Sequence, residues 1–238
     1  MDLGIEGRVA LILGGSGRVG RAAAEQLQAE GVTVVLAARD ATRLEAASVA
    51  LGHAPWQTVD GSDDASVLGL IENVLAIHGT IDILVGAAAP AGRMLIARRD
   101  WEPQQMLSEI DAKAMVALRA MNAVLPHMLD RGWGRVVNVS GQNALISGSV
   151  TAAARNNVLT VVSKAAADAV AGSGVTVNVV HPGFISDKPV RDRGLGLPGD
   201  TTFAEVGAAI AFLCGNQAGA ISGETLAIGH RVKGTMIL

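Results

Sequence analysis

The sequence predicts an α/β fold: a doubly wound, Rossmann-type sheet of seven mainly parallel strands with helices on both faces. Short runs of β-branched residues alternate with longer helical stretches along the chain. Each run is too continuously apolar for a strand with one face in water, which indicates parallel strands buried on both faces. A glycine-rich turn follows the first run directly. The predicted strands are 8–13, 32–37, 54–59, 81–86, 134–140, 174–180 and 225–229.

The size and composition of the chain fit a single domain, 1–238. Half of its 238 residues are hydrophobic and 17% are charged, so the chain can bury one large core without disulfides or a metal ion. The net charge of −3 provides no broad basic surface, which argues against nucleic acid and anionic membranes as partners. We therefore expect a small-molecule substrate, and the five scattered histidines predict no metal site.

Two features bear on the compartment of the protein. The single cysteine, Cys214, excludes an internal disulfide and is compatible with a reducing cytoplasm, where it is expected to be a small apolar core residue. The start, "MDLGIEGR", has acidic residues where a signal peptide needs basic ones, and no apolar run reaches the roughly 18 residues of a membrane span. We expect a soluble, cytoplasmic protein.

The glycine-rich turn is typical of a dinucleotide-binding site. It reads "LGGSGRVG" at 13–20, contains Gly15-x-Gly17-x-x-Gly20, and leads into a helix and then another strand. Glycine allows the tight turn, the close approach of backbone to phosphate and the packing of helix on strand, while the helix N-terminus offers free N–H groups. The alternative is a turn that binds nothing. The predicted cofactor contacts in this turn are Gly14, Gly15, Ser16, Gly17, Arg18, Val19 and Gly20.

Arg39, at the end of the second strand, favours NADP(H) over NAD(H). An NAD-preferring site ordinarily places an acid there for the ribose hydroxyls, whereas a guanidinium suits a 2′-phosphate. Arg18 is placed to add a second cation to the same phosphate. The alternatives are that Arg39 caps the helix carrying Arg43 and that Arg18 is solvated. Asp60, which closes the third strand, is predicted to bind the adenine amino group, with a helix or turn cap as the alternative.

The segment "SDKPVRDRGLGLPGD", residues 186–200, is rich in glycine, proline and charge. This composition predicts a mobile loop. In doubly wound folds, a loop beyond the carboxyl end of a strand is where the substrate is covered. We therefore expect this loop to cover the substrate.

Several segments together resemble the short-chain dehydrogenase/reductase family over almost the whole chain. In the family's order they are the glycine-rich turn, "AARDATRLEA", "HGTIDILV", "VLPHMLDRGWGRVVNVSG", "SK", "VNVVHPGF" and "FAEVGAAIAFLCGNQAGAISGETLAIG". The resemblance implies a seven-stranded parallel sheet, a nicotinamide cofactor and a homodimer or homotetramer. Gly14, Gly17 and Gly20 are spaced as in the family's extended branch, because the commonest spacing would put a glycine at position 18.

The catalytic positions implied by the resemblance depart from the family's pattern. The family's lysine matches Lys164, but its tyrosine, four residues earlier, falls on Thr160, and the chain contains no tyrosine. The family's serine falls on Gly141, with Ser140 one place early, and its asparagine falls on Lys113. The family's "NNAG" has become Gly86-Ala87-Ala88-Ala89.

The missing phenol predicts slow or absent reduction of ordinary ketones. In the family, the tyrosine exchanges the proton of the carbonyl or alcohol while hydride crosses to or from the nicotinamide. The hydroxyl of Thr160 is far less acidic than a phenol, whose pKa is about 10. A positioned general acid contributes about 10² to 10⁴ in rate, so its loss has a large effect.

Three residues are candidates for the remaining chemistry, each with a structural alternative. Lys164 is expected to hold the nicotinamide ribose, or else to pair with Asp168 one helical turn later. Lys113 is expected to act as an acid or to hold an anion, with a surface salt bridge as the alternative. His181 either lies near the nicotinamide or is a hydrogen-bonded histidine behind the strand.

Two further segments are candidates for substrate and cofactor contacts. Gln142 and Asn143 either hydrogen-bond a substrate oxygen or form a turn. The run "PGFIS", residues 182–186, is expected to line the carboxamide pocket. The predicted cofactor contacts in it are Pro182, Gly183, Ile185 and Ser186.

Three functions are compatible with this sequence. The first is an NADP(H)-dependent oxidoreductase with a non-standard active site, which reduces an activated acceptor such as an iminium or a conjugated enone. The second is a catalytically silent NADP(H)-binding homologue that acts as a partner or regulatory subunit. The third is a non-redox enzyme, a dehydratase or cyclase, on the same fold. The first is preferred because the phosphate-binding turn, Lys164 and the "PGF" segment remain together.

Overall fold

The computed structural model describes residues 2–89, 102–146, 148–190 and 192–235. The strands in these ranges are β1 (Val9–Leu13), β2 (Thr33–Ala38), β3 (Trp56–Thr58), β4 (Ile83–Gly86), β5 (Gly134–Val139), β6 (Val175–Pro182), β7 (Phe184–Ile185), β8 (Asp200–Thr201) and β9 (Thr225–Ile228). The helices are α1 (Arg18–Ala29), α2 (Ala41–Ala50), α3 (Asp64–His78), α4 (Pro103–Ile110), α5 (Val116–Arg131), α6 (Val150–Ala169) and α7 (Phe203–Cys214). None of the helices in these ranges is long and apolar enough to cross a membrane.

Seven strands form one sheet in the order β3-β2-β1-β4-β5-β6-β9, and every neighbouring pair is parallel. The predicted α/β fold is confirmed, and each of the seven predicted strands is present. β6 extends two residues beyond its predicted end, because His181 and Pro182 still pair with Ala227 and Ile228 of β9. The order of the strands reverses between β1 and β4, which opens a crevice at the carboxyl ends of these two strands.

A second, two-stranded sheet was not predicted from the sequence. β7 and β8 pair in parallel, with Phe184 opposite Asp200 and Ile185 opposite Thr201. Strands of two residues carry no readable alternation of apolar and polar side chains, so the sequence pattern does not reveal them. The predicted loop at 186–200 therefore starts directly after β7, and its last residue belongs to β8.

Two apolar clusters cover the two faces of the sheet. On one face, α1, α2 and α7 pack on the strands and bury Leu27, Leu44 and Ile210 completely. On the other face, α3, α5 and α6 do the same, with Met121 as a fully buried member. Cys214 lies in the first cluster, where burial raises the pKa of its thiol to about 12. A thiol with this pKa stays protonated and is a poor nucleophile, so Cys214 is a core residue, as predicted.

Candidate active site

The glycine-rich turn brings β1, α1 and the end of β4 into close contact. Gly14 has a φ of +75°, and a Cβ built on it would lie 2.6 Å from the carbonyl carbon and oxygen of Ala87. A Cβ on Gly20 would lie 2.4 Å from the carbonyl oxygen of Gly14. Any side chain at either position would displace backbone, so both glycines are required by the shape of the turn.

The N-terminus of α1 favours the binding of an anion. Gly17 is the N-cap of this helix; it contributes no side-chain hydrogen bond to the first turn, which contains no acidic residue. Because the first N–H groups of a helix lack partners within the helix and its dipole is positive there, this end favours a phosphate. The local geometry therefore fits the predicted contact with a dinucleotide diphosphate.

A groove of about 480 Å³ runs from the glycine-rich turn past the carboxyl ends of β1, β2 and β4. Arg39 is exposed in it, and no ion pair with another described residue engages its guanidinium. The predicted residues that line the groove are Gly14, Ser16, Gly17, Arg39 and Asp60, together with Ala87, Ala88 and Ala89. The residues that the sequence analysis did not name include Asp40, Ser62, Ser108, Asp111, Ala112 and Val116, and Arg43 also lines the groove.

Asp60 lines this groove and also holds a turn. Its carboxylate accepts hydrogen bonds from the backbone N–H of Ser62 at 3.0 Å and from the Ser62 hydroxyl at 2.7 Å. These two bonds, and more weakly the positive charge of Arg39, lower the pKa of the Asp60 carboxyl. The turn role that was the alternative is present, and the contact with adenine stays a prediction.

The guanidinium of Arg18 contacts residues outside the groove. Its guanidinium donates to both carboxylate oxygens of Asp187, at 2.8 and 3.1 Å, and lies 3.8 Å from the centre of the Phe203 ring. As the first residue of α1, Arg18 extends towards the segment after β7 instead of the groove that Arg39 lines. The structure therefore does not bring Arg18 and Arg39 together, contrary to the expectation of a shared phosphate. Val19, the second residue of α1, packs against the apolar core on that face of the sheet.

Gly141 and α6 meet at the carboxyl end of β5. Gly141 is extended, with a φ of 167°, and the amide nitrogen of Asn156 lies 3.2 Å from the point where its Cβ would stand. Ser140 is buried, and its hydroxyl donates to the backbone oxygen of Asn156 at 3.1 Å. The Oδ1 of Asn156 is buried and has no hydrogen-bond partner among the described residues. Buried polar groups of Ser140 and Asn156 therefore meet beside Gly141.

Thr160 and His181 lie side by side near Gly141. The Thr160 hydroxyl donates to the backbone oxygen of Asn156 at 2.9 Å and is 3.4 Å from Nε2 of His181. Nδ1 of His181 is 3.1 Å from the carbonyl oxygen of Gly141, which fits a donated N–H at this nitrogen. Burial lowers the pKa of His181 more than the bond to Gly141 raises it. His181 is thus a hydrogen-bonded histidine, the second of the two alternatives from the sequence, and its partner is the carbonyl oxygen of Gly141.

Lys113 is buried, and the predicted alternative of a surface salt bridge is wrong. It lies in a π-helical turn, Asp111–Met115, that joins α4 to α5, and only 6% of it is exposed. Its Nζ donates to the backbone oxygen of Ser140 at 3.0 Å. Burial, assisted by the positive charge of Arg155, lowers the pKa of this lysine to about 7.

Lys164 lies on the exposed side of α6. Its ammonium forms an ion pair with Asp168, the alternative that the sequence left open, and its side chain is 55% exposed. It does not line the groove. The buried positions of α6 include Asn156, Leu159, Ser163 and Ala167, so the helix turns position 164 outward. Asn156 of α6 packs against Gly141, and sequence reasoning missed it by anchoring the helix on the "SK" pair.

The segment after β6 packs on the C-terminal part of the chain. A Cβ on Gly183 would lie 2.0 Å from the oxygen of Gly199, so this glycine permits a close crossing of two backbones. Ile185 packs on the core, and the hydroxyl of Ser186 accepts from the N–H of Lys188. Among Pro182, Gly183, Ile185 and Ser186, none lines the groove, and their contact with a cofactor stays a prediction.

Gln142 and the predicted loop share partners in the residues that follow β9. The amide nitrogen of Gln142 donates to the oxygens of Ile228 and His230, at 3.3 and 3.2 Å, and Gln142 belongs to a 3₁₀ turn with Asn143. Within 186–200, the N–H of Gly199 donates to the oxygen of His230 at 2.7 Å. The turn role of Gln142 is therefore present, and the mobility of the loop stays a prediction.

The donor atoms of this site do not form a metal centre. Among the residues that the structure describes, no group of three or more His, Cys, Asp or Glu side chains is placed to hold an ion. The geometry instead combines a phosphate-binding turn, a groove in which Arg39 forms no ion pair with another described residue, and buried polar groups beside Gly141.

The chain belongs to the short chain dehydrogenase family, whose model matches residues 8–218. It is 31% identical over 237 residues to the 3-oxoacyl-[acyl-carrier-protein] reductase FabG of Escherichia coli (strain K12), covering 94% of this chain and 96% of that protein. It is also 33% identical over 251 residues to the cis-4-hydroxycyclohexanecarboxylate dehydrogenase of Sinomonas cyclohexanicum, covering 93% and 94% of the two chains.

Two solved structures share the fold. Levodione reductase superposes with a TM-score of 0.83 at 22% identity, over 94% of this chain and 97% of that one. YwfH, described as an NADPH dependent reductase involved in bacilysin biosynthesis, superposes with a TM-score of 0.79 at 22% identity, over 93% and 98%. These likenesses establish the Rossmann-type architecture, and the family match establishes an oxidoreductase family with a dinucleotide-binding fold.

Proposed function

We propose that this protein is an NADP(H)-dependent reductase with a non-standard active site, which acts on an activated acceptor such as an iminium or a conjugated enone. One observation carries the proposal: the phosphate-binding turn and the groove are both present in a chain that contains no tyrosine. The reductase and dehydrogenase activities named for the curated relatives support an oxidoreductase.

The cofactor choice is supported by the charges of the groove. Arg39 and Arg43 both line it, whereas Asp40, the only carboxylate between them in sequence, accepts a hydrogen bond from the N–H of Arg43 as the cap of α2. A free guanidinium beside the ribose end of such a groove favours a 2′-phosphate, since Arg binds phosphate through paired N–H groups. A bound nicotinamide supplies the hydride in such a reduction.

The acceptor class is supported by the hydroxyl groups around Gly141. The hydroxyl of Thr160 donates to a backbone oxygen of α6, as does that of Ser140, and neither has the acidity of a phenol. A simple ketone gains little electrophilic assistance from such groups. An iminium is already electrophilic, and hydride addition to an enone leaves an enolate whose charge is shared between its oxygen and its α carbon, so both acceptors depend less on a strong acid.

A second candidate, a cofactor-binding protein without turnover, is supported by one contact. Lys164, the lysine that the family resemblance singles out, pairs with Asp168 on the exposed side of α6 and does not line the groove. A site that binds NADP(H) and transfers no hydride would keep the turn and Arg39 and would not need a lysine at this place.

The test measures binding first and turnover second. NADPH and NADH are titrated by cofactor fluorescence, and NADPH oxidation is then followed with a cyclic imine, a cyclic enone and cyclohexanone. We expect tighter binding of NADPH than NADH, and turnover with the imine or the enone but not with cyclohexanone. Absence of cofactor binding, or brisk reduction of cyclohexanone, contradicts the proposal. Binding without turnover over the whole panel favours the second candidate.

A further inference from the structure

Lys113 carries a buried amine, and this amine forms no ion pair with a described residue. Its Nζ has one hydrogen-bond acceptor, the backbone oxygen of Ser140 at 3.0 Å, although an ammonium has three N–H groups. Burying an amine without a carboxylate partner costs stability, so a purely structural role accounts poorly for it. The residue also lies in a π-helical turn, and such turns are frequent at functional sites.

Lys113 lies between residues that line the groove and the buried polar groups beside Gly141. Asp111 and Ala112, the two residues before it in the π-helical turn, line the groove. The carbonyl that it binds belongs to Ser140, directly before Gly141. Asn156, whose buried Oδ1 has no hydrogen-bond partner among the described residues, packs against Gly141. Lys113 therefore has residues that line the groove before it in the chain, and its amine contacts the backbone that leads into Gly141.

The charged groups packed against Lys113 leave it free to change its protonation. On its own turn, Asp111 is hydrogen-bonded to Arg119 at 2.9 Å. On α6, Arg155 forms an ion pair with Glu109 of α4. On β6, His181 is buried and its pKa is lowered. Among the residues that the structure describes, no carboxylate is left to hold Lys113 as a permanent cation, and burial lowers its pKa to about 7, where both of its forms are populated at neutral pH.

We infer that Lys113 is the proton donor of the reduction, in the place that the missing phenol would otherwise take. This inference rests on the proposed function. A neutral imine takes a proton on its nitrogen and so becomes the iminium, whose carbon then gains a hydride from the reduced nicotinamide, which becomes oxidised. The proton leaves the Lys113 ammonium, which becomes a neutral amine and is protonated again from solvent. With an enone, the same proton goes to the enolate that hydride addition forms.

The neighbouring groups are less suited to this role. Thr160 donates its proton to a backbone oxygen and is not acidic at neutral pH. His181 uses Nδ1 to hold the Gly141 carbonyl, and its Nε2 faces Thr160 instead of the groove. Lys164 is paired with Asp168 at the surface. Lys113 is the one amine among the described residues that is buried beside the groove.

An NMR titration measures the protonation of Lys113 in the absence of substrate. The chain contains four lysines, so a protein with isotope-labelled lysine side chains gives four NMR signals, and the Lys113→Met variant assigns the relevant one. The signal is followed against pH in the free protein, with NADPH and with NADP⁺. We expect a midpoint near neutrality that both cofactors shift, with a lower midpoint for NADP⁺ because its ring is cationic. The signals of the other three lysines serve as internal references.

A kinetic test compares Lys113→Met with Lys113→Arg, using the cyclic imine and the cyclic enone as acceptors. Arginine keeps the charge and the hydrogen-bonding capacity but does not release its proton at neutral pH. We expect both variants to bind NADPH like the wild type and to lose about 100-fold or more in kcat. In the wild type, kcat is expected to fall as the pH rises through the midpoint of the Lys113 signal, because the donor must be protonated.

Two outcomes overturn the inference. One is a Lys113 signal that NADPH and NADP⁺ leave unchanged while fluorescence shows that they bind. The other is a kcat in Lys113→Met and Lys113→Arg that stays within a few-fold of the wild type. A wild-type protein that binds neither cofactor is a different result, since it refutes the proposed function itself, and with it any proton donor for that reaction.

Discussion

The amide nitrogen of Asn156 lies 3.2 Å from the point where a Cβ on Gly141 would stand. The Asn156 side chain of α6 therefore crowds the space that a side chain at position 141 would need. Because Gly141 is extended, its backbone tolerates other residues, and only the contact with Asn156 restricts the position. Gly141 and Asn156 of α6 thus form a closely packed pair.

This pairing predicts a coupled response to mutation. Gly141→Ala is expected to cost about 1 kcal/mol in the free energy of unfolding, because the added methyl group presses on a buried amide. In the background of Asn156→Ala, the same change is expected to cost close to nothing, and a double-mutant cycle by urea denaturation measures the difference. Equal costs in both backgrounds would show that Asn156 does not restrict position 141.

Gly20 is expected to tolerate no side chain. In Gly20→Ala the new Cβ would lie 2.4 Å from the backbone oxygen of Gly14, so the turn must move, and we expect a loss of about 3 kcal/mol together with loss of cofactor binding. Gly69→Ala is the matched control, because a Cβ there meets nothing within 4 Å inside α3. It is expected to stabilise the protein by about 0.5 to 1 kcal/mol. Thermal and urea denaturation of both variants check the contrast, which disappears if the two changes have similar effects.

Arg39 is expected to discriminate between the two nicotinamide cofactors. Arg39→Ala should weaken NADPH binding by about tenfold or more, since a charged hydrogen-bond pair to phosphate contributes about 1.5 to 3 kcal/mol. NADH, which lacks the 2′-phosphate, should be affected little. Arg18→Ala is the comparison variant, and we expect a smaller change because Asp187 holds that guanidinium. Fluorescence titrations at low salt measure both, and equal losses for NADPH and NADH would contradict the assignment.

Lys113→Met is expected to stabilise the protein most at low pH. The pKa of this lysine falls from 10.5 in the unfolded chain to about 7 in the fold, so the unfolded chain binds more protons between these values. The stability of the wild type therefore rises with pH through this window, while that of the variant does not gain from this group. Below about pH 7 we expect the variant to be more stable by about 2 to 4 kcal/mol, after the lost bond to Ser140 is counted.

Urea denaturation at pH 6 and pH 9 checks this linkage. The difference between the two proteins should shrink as the pH rises, because the wild-type lysine is then neutral in the fold and its burial costs less. A difference that stays constant with pH would mean that Lys113 keeps an ordinary pKa. The measurement is independent of cofactor and substrate.

Much of the fold could be predicted because it depends on local patterns. Continuous apolar runs separated by helical stretches specify buried parallel strands, and the turn at 13–20 specifies close contacts that glycine alone permits. The groove residues Gly14, Ser16, Gly17, Arg39 and Asp60 were named from their places at the ends of strands. Those places follow from the topology, since the carboxyl ends of parallel strands meet at one edge of the sheet.

The contacts of the candidate catalytic residues could not be predicted in the same way, because they depend on the direction in which each side chain points. The "SK" pair identified Lys164, but the burial of Leu159, Ser163 and Ala167 turns that lysine outward and brings Asn156 to the Gly141 turn. Arg18 is held by Asp187, which lies 169 residues away in the chain.

The sequence by itself determined the α/β fold, the phosphate-binding turn and the absence of a phenol, because each is set by residue type and short-range spacing. Only the tertiary structure decided that Lys113 is buried against the backbone of Ser140 with a pKa of about 7. Burial and the distance to other charges arise from the packing of helices on the sheet, and no local pattern of residues encodes them.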